Sequence, residues 1–372
     1  MAHETVRLWL GTSPDDRTDA DREPRGAGVW SVDLDPGTGQ LAEPVLRART
    51  PTPSFLALTP DGRSLFAAGE TSPGAVTRFT VASDGSLAEA ERVSSGGSGP
   101  CHLVLDPRAR ALYVANYGSG SVAVVPLRPG PDGATELVGG VAQVFEHSGR
   151  GPVPDRQEAP HVHSTLLTPD GAALLAFDLG TDEIRRYSVR EDGLLDAAGL
   201  AVRLPPGTGP RHAAWGPGGH LYVTGELDVR LHVLAWDGDV LHPVAALPAV
   251  ATRDEGAGEA LAAHVLVRDD VVLVSVRGPD VVVAWRAADG GARLVPAGSI
   301  ATGPAVWPRH FAVVDGASGD WLVVAGQRSD RVAVLPAGAV TGGAAAGEVV
   351  AAAAVPAPTC VVAGRTGLRD AR

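Results

Sequence analysis

The stretch from Pro100 to Gly118, PCHLVLDPRARALYVANYG, holds the pattern that decides the fold. A proline opens it and two residues of mixed character follow. Then come a short apolar run, a turn at Asp106-Pro107-Arg108, and a second apolar run from Leu112 to Ala115. The opening phrase recurs at Pro53-Ser54-Phe55, Pro100-Cys101-His102, Pro160-His161-Val162, Pro210-Arg211-His212, Ala263-His264-Val265, Pro308-Arg309-His310 and Pro358-Thr359-Cys360. A spacing of roughly 45 to 60 residues is that of one propeller blade per repeat.

The rest of each unit agrees. Turns such as Pro60-Asp61-Gly62 and Pro169-Asp170-Gly171 follow the first run, where Asp, Gly and Pro suit tight backbone reversals. Third strands alternate apolar and polar residues, as in Val229-Arg230-Leu231-His232-Val233. Asp-Gly pairs at Asp84-Gly85 and Asp192-Gly193 then favour a second hairpin. No segment shows helical periodicity. The expected fold is all-β, a seven-bladed β-propeller of four-stranded antiparallel blades in one domain spanning 1–372. Six units fill Pro53 to about Gly347. The closing blade combines about 1–48 with 356–366, so both termini seal the ring and remove its open edges. The run from Ala344 to Val355 reads as the last strand of blade six plus its connector.

Bulk properties bound the function. The chain has 372 residues, 44% of them apolar; length alone suggests two or three domains, but a closed ring of blades is one unit. A net charge of −12 argues against nucleic acid, and a small anionic substrate would need a local cluster of positive side chains. Cys101 and Cys360 form no CxxC motif and read as reduced thiols facing the cores of their blades. The apolar run Val6 to Leu10 is too short for a signal-peptide core, and no segment approaches the ~20 apolar residues of a spanning helix. The expectation is a cytoplasmic protein with no membrane partner.

Two columns break the apolar pattern. Just after the phrase's first residue stand Ser54, Cys101, His161, Arg211, His264, Arg309 and Thr359, followed by Phe55, His102, Val162, His212, Val265, His310 and Cys360. Where the second strand ends stand Glu70, Tyr117, Asp178, Glu226, Arg277 and Gln327. First strands line a propeller's channel, so these side chains should converge on one mouth. Three arginines and a histidine there would repel one another without an anion. His161-Val162-His163 has no acidic third ligand beside it, so neither a metal nor another cofactor is expected.

At these residues the chain resembles the seven-bladed propeller lactonases, which include propeller-type 6-phosphogluconolactonases and carboxy-muconate lactonizing enzymes. The matching segments are Ala159-Pro160-His161-Val162-His163, Gly209-Pro210-Arg211-His212, Tyr222-Val223-Thr224-Gly225-Glu226-Leu227, Ser275-Val276-Arg277-Gly278 and Pro308-Arg309-His310-Phe311. Ala115-Asn116-Tyr117-Gly118, Asp178-Leu179-Gly180-Thr181-Asp182 and Gly326-Gln327-Arg328-Ser329-Asp330 match as well. The resemblance implies hydrolysis of a small anionic sugar lactone, first of all 6-phosphogluconolactone. It implies His161, Arg211, Glu226 and Arg277 as catalytic residues. Either Glu226 or His161 would take a proton from water, and Arg211 and Arg277 would stabilise the oxyanion. His102, His163, His212, Arg309, His310 and Gln327 would bind substrate, with Arg309 and His212 or His310 on a phosphate or carboxylate. A muconate-type cycloisomerase and a non-catalytic metabolite- or protein-binding propeller are the alternatives. The family's asparagine before the key residue is kept only at Asn116; Gly69, Gly225, Val276 and Gly326 stand elsewhere, implying fewer pocket hydrogen bonds. The acidic insert Asp15 to Arg25 and the loop Ser148 to Glu158 are placed to reshape the entrance.

Overall fold

A computed structural model describes residues 5–13, 28–130, 133–250, 259–341 and 348–364. It shows seven antiparallel sheets, each formed from neighbouring segments of the chain. Blade 4 is representative: Pro210–Trp215, His220–Gly225, Arg230–Trp236 and Leu241–Pro248 pair in sequence order. The second strand is almost wholly buried and the fourth mostly exposed, so burial falls from the axis outward.

The closing blade is shared between the ends, as the sequence indicates. Val6–Thr12 pairs on one side with Val29–Leu34 and on the other with Pro358–Ala363, which supplies the innermost strand. Seven apolar clusters lie at the seven blade interfaces. One joins Leu8, Leu10 and Val361 to Val323 and Val332 of blade 6, and another joins Trp9, Val29 and Cys360 to Leu56, Leu65 and Phe79 of blade 1. Each buried Leu or Val side chain contributes about 1.5–3 kcal/mol. The ring is therefore held by side chains packed between blades.

Two details depart from the sequence reading. Blade 2 has five strands, because the long strand Ser121–Pro129 pairs end to end with both Gln143–Glu146 and Thr135–Leu137. Its outermost position is split where Gly139 and Gly140 let the chain turn. A short helix, Gly338–Thr341, precedes the last strand of blade 6, Ala351–Ala354. The insert Asp15 to Arg25 and residues 344–347 of the Ala-rich run lie outside the described residues. Among the described residues no helix is long and apolar enough to cross a membrane.

Candidate active site

Every innermost strand is bulged near its start. The pairing shifts between Pro53 and Phe55, Pro100 and His102, Val162 and Ser164, Pro210 and Ala213, Ala262 and Val265, and Pro308 and His310. In the closing blade the shift lies opposite Pro358 and Cys360. A bulge leaves a residue out of the ladder and re-aims its side chain. The pairing thus fixes equivalent positions around the axis. The upper ring is Ser54, Cys101, His163, Arg211, Ala263, Arg309 and Thr359. The lower ring, one residue on, is Phe55, His102, Ser164, His212, His264, His310 and Cys360.

A third ring stands where the second strands end. It comprises Ser13, Glu70, Tyr117, Leu179, Glu226, Arg277 and Gln327, and all but Leu179 line a cavity of about 340 Å³. Cys101, His163 and Arg309 of the upper ring line it too, together with Arg156, Trp307 and Arg328. Gly278 lets Arg277 take its place. Its φ is +95°, and a Cβ there would collide with the Glu259 carbonyl oxygen.

Glu226 organises the charges. Its Oε2 lies 2.7 Å from Arg277 Nη2 and 2.8 Å from Arg211 Nε, while Oε1 accepts from Arg156 Nη2. Burial alone would raise the Glu226 carboxyl, but Arg277, Arg156 and Arg211 outweigh it and hold it well below the usual carboxylate range. Glu226 is therefore an anion clamped among cations, and a poor proton acceptor. Arg211, only 2% exposed, is pressed down to about 9 by burial and by Arg277. The Arg211 Nη1 and Arg277 Nε hydrogens have no acceptor among the described residues. Burial, then Arg211, also holds His163 well below its ordinary value, so its imidazole is neutral. Its Nδ1 is buried with no hydrogen-bond partner among the described residues.

Three of these residues escape a reading of the repeat. Arg156 sits on the loop 148–158, which lies outside every column of the repeat. Gln157, fully buried, ties that loop down by donating to the Leu179 carbonyl oxygen and Asp182 Oδ1, both at 2.8 Å. Trp307 adopts a left-handed backbone (φ +64°) that bulky residues avoid; Asp280 Oδ1 accepts its N–H at 2.9 Å. That strain places its indole under Arg328, whose Cζ is 3.3 Å from the ring centroid.

Of the residues the sequence proposed, Arg211, Glu226, Arg277, His163, Arg309 and Gln327 gather at the cavity. His161 does not line it. It stacks on Tyr117, with centroids 4.4 Å apart, and bonds Glu158 Oε1 at 3.0 Å. His163 takes the channel position that the repeat phrase gave to His161. His102, His212 and His310 do not line the cavity either. With Phe55 and His264 they close a ring of aromatic contacts 3.8–5.8 Å between centroids. Burial holds His102 and His310 down to about 3, and burial with Arg211 holds His212 well below its usual value. Neutral rings outside the cavity offer no charge to a phosphate.

Other expectations are corrected. Cys101 faces the cavity rather than its blade's core, its thiol donating to the His163 carbonyl oxygen at 3.2 Å. Asp178 shapes a turn: Oδ1 accepts from His161 N and Gly180 N, and Oδ2 bonds His147 Nδ1 at 2.7 Å. The retained Asn116 donates to the Ser95 carbonyl oxygen and does not line the cavity, so the missing asparagines take no bonds from it. At Gly225 the space of a side chain is occupied by Asp228. Among the described residues no three His, Cys, Asp or Glu side chains converge as metal ligands.

Comparison with known proteins follows the same lines. The family described as lactonase, 7-bladed β-propeller, matches residues 7–363. A 6-phosphogluconolactonase of Bacillus subtilis is 29% identical over 342 residues, covering 90% of this chain and 93% of that one. A periplasmic gluconolactonase of Pseudomonas aeruginosa superposes with a TM-score of 0.84 at 27% identity, covering 97% and 99% of the two chains. A putative 6-phosphogluconolactonase of Bacteroides fragilis shares the fold, with a TM-score of 0.82 at 24% identity over 97% and 98%.

Proposed function

The chain belongs to the seven-bladed β-propeller lactonase family, and from that premise we propose that it hydrolyses a sugar-derived lactone, with 6-phosphogluconolactone the first candidate. One observation carries the reading. In a protein of net charge −12, Arg156, Arg277 and Arg309 line one cavity and Arg211 abuts it, with Glu226 and Glu70 the carboxylates among its described lining residues. Buried like charges stay together when an anion offsets them. Glu226 offsets part of the set, and an anionic ligand would offset the rest.

His163 is the candidate base. A neutral imidazole facing the cavity can take a proton from water as the oxygen attacks the lactone carbonyl carbon. The carbonyl oxygen becomes an oxyanion, which the unused hydrogens of Arg211 and Arg277 would stabilise. Collapse breaks the ring C–O bond, and the leaving oxygen takes the proton back from His163. The product is the open hydroxy acid. Arg309 has no ion-pair partner among the described residues, which suits it to hold a phosphate by charge-assisted bonds. Glu226 keeps the guanidiniums in place.

The test is hydrolysis of freshly generated 6-phosphogluconolactone beside gluconolactone. Turnover of the phosphorylated lactone well above its spontaneous rate, lost in His163→Ala, is expected. No acceleration with either lactone would remove the hydrolase reading and favour a metabolite-binding propeller.

A further inference from the structure

The cavity has a second, oppositely equipped arc. In the ring that ends the second strands, Gln327 of blade 6, Ser13 of the closing blade and Glu70 of blade 1 stand in succession, starting next to Arg277 of blade 5 and with Arg309 on the same blade as Gln327. Gln327 is 4% exposed, and its Nε2 donates to the Ser13 carbonyl oxygen at 2.9 Å. That bond fixes the amide, because the carbonyl oxygen can only accept. Oε1 is thereby left buried, with no donor among the described residues. Glu70 Oε2 is likewise buried without a donor. Glu70 shares the cavity with four arginines, yet no arginine lies within ion-pairing distance of it among the described residues. Two acceptors lacking donors on one wall are costly unless a ligand supplies the donors.

We infer that Glu70 and Gln327 are specificity-determining residues that accept hydrogen bonds from the hydroxyl groups of a polyhydroxylated lactone, while the arginine arc takes its carbonyl and anionic ends. The inference rests on the lactonase reading and deepens it. A dicarboxylic muconolactone carries no hydroxyl donors, and its carboxylates would be repelled by Glu70. The substrate class selected is a sugar lactone, held with its hydroxyl-bearing carbons toward blades 6 and 1.

The test uses three ligands on the full chain: gluconolactone, hydroxyl-free δ-valerolactone, and 6-phosphogluconate as a binding probe. Glu70→Leu and Gln327→Leu should each lower the kcat/KM ratio of gluconolactone to δ-valerolactone roughly tenfold to a hundredfold, mainly through KM. Glu70→Gln, which keeps one acceptor oxygen, should fall between wild type and Glu70→Leu. Thermal melts of all three variants identify any that fail to fold, and Glu70→Gln keeps the test open if a leucine variant does. Equal losses on both lactones, or no loss on either, would overturn the inference and leave the hydrolase reading standing. If the wild type hydrolyses neither of these lactones nor 6-phosphogluconolactone yet binds 6-phosphogluconate, and the variants bind it roughly tenfold more weakly, the acceptor arc stands and the hydrolase reading falls. Neither binding nor hydrolysis by the wild type would overturn both.

Discussion

Two rings of side chains on the same innermost strands, one residue apart, have opposite chemistry. The upper ring puts His163, Arg211 and Arg309 at or against the cavity; the lower one closes the channel with the neutral rings of Phe55, His102, His212, His264 and His310. Both are buried, and both hold ionisable groups. The difference lies in compensation: Glu226 lies within 2.8 Å of the guanidiniums of Arg211 in the upper ring and of Arg277 beside it, and the lower ring has no carboxylate and sheds its protons. A shift of one residue along a bulged strand therefore separates candidate chemistry from channel closure.

The largest expected effect comes from the carboxylate of the third ring that compensates the upper one. Glu226→Gln removes the anion that three arginines share, and breaking such a buried ion set costs roughly 3–5 kcal/mol. A large drop in melting temperature is expected, partly restored by millimolar inorganic phosphate. An unchanged melt would mean the guanidiniums are compensated elsewhere. Next, Arg309→Ala should raise KM for 6-phosphogluconolactone by roughly tenfold or more while leaving unphosphorylated gluconolactone little changed, since it removes a charge-assisted phosphate contact. Equal effects on both lactones would place the phosphate elsewhere.

The lower ring makes a pH prediction. His102 and His310 titrate near 3 in the folded protein, against about 6.5 in the unfolded chain. The unfolded chain takes up their protons first as pH falls. Their stabilising effect is thus complete above about pH 6.5 and is lost toward pH 3, by about 1.4 kcal/mol per pH unit for each histidine. Urea unfolding at neutral and mildly acidic pH should show this slope, and the pair His102→Phe with His310→Phe should flatten it by about two protons. An unchanged slope would mean these imidazoles are not the source. The smallest effect is expected from Cys101→Ser, which preserves a donor to the His163 carbonyl oxygen; a shift in melting temperature of only a few degrees should result.

The sequence makes the blades, the closing strand and the cationic mouth legible, because strand period and turn chemistry repeat in every unit. It misplaces two histidines. Pro160 imitates the proline that opens the phrase, but the pairing Val162 with Asp178 shows that Val162 holds that position. An offset of two keeps the alternation of an extended strand intact, so no apolar pattern exposes it. In blade 5 the phrase has no proline, and Ala262, paired with Val276, holds the place the reading gave to Ala263. His264 accordingly moves from the upper ring to the lower. Arg156 belongs to no column, since its loop lies outside the repeat. The asparagine position faces the neighbouring segment rather than the cavity, a direction set by the strand end and invisible in a motif.

Under the proposed function the upper ring carries lactone hydrolysis and the lower ring only closes the channel. The direct measurement is the turnover of 6-phosphogluconolactone by folded His163→Ala and His102→Phe proteins beside wild type. His163→Ala should lose roughly a hundredfold or more in kcat, the scale of a missing general base, with His102→Phe close to wild type. Equal losses in both, or a His163→Ala protein as active as wild type, would contradict it.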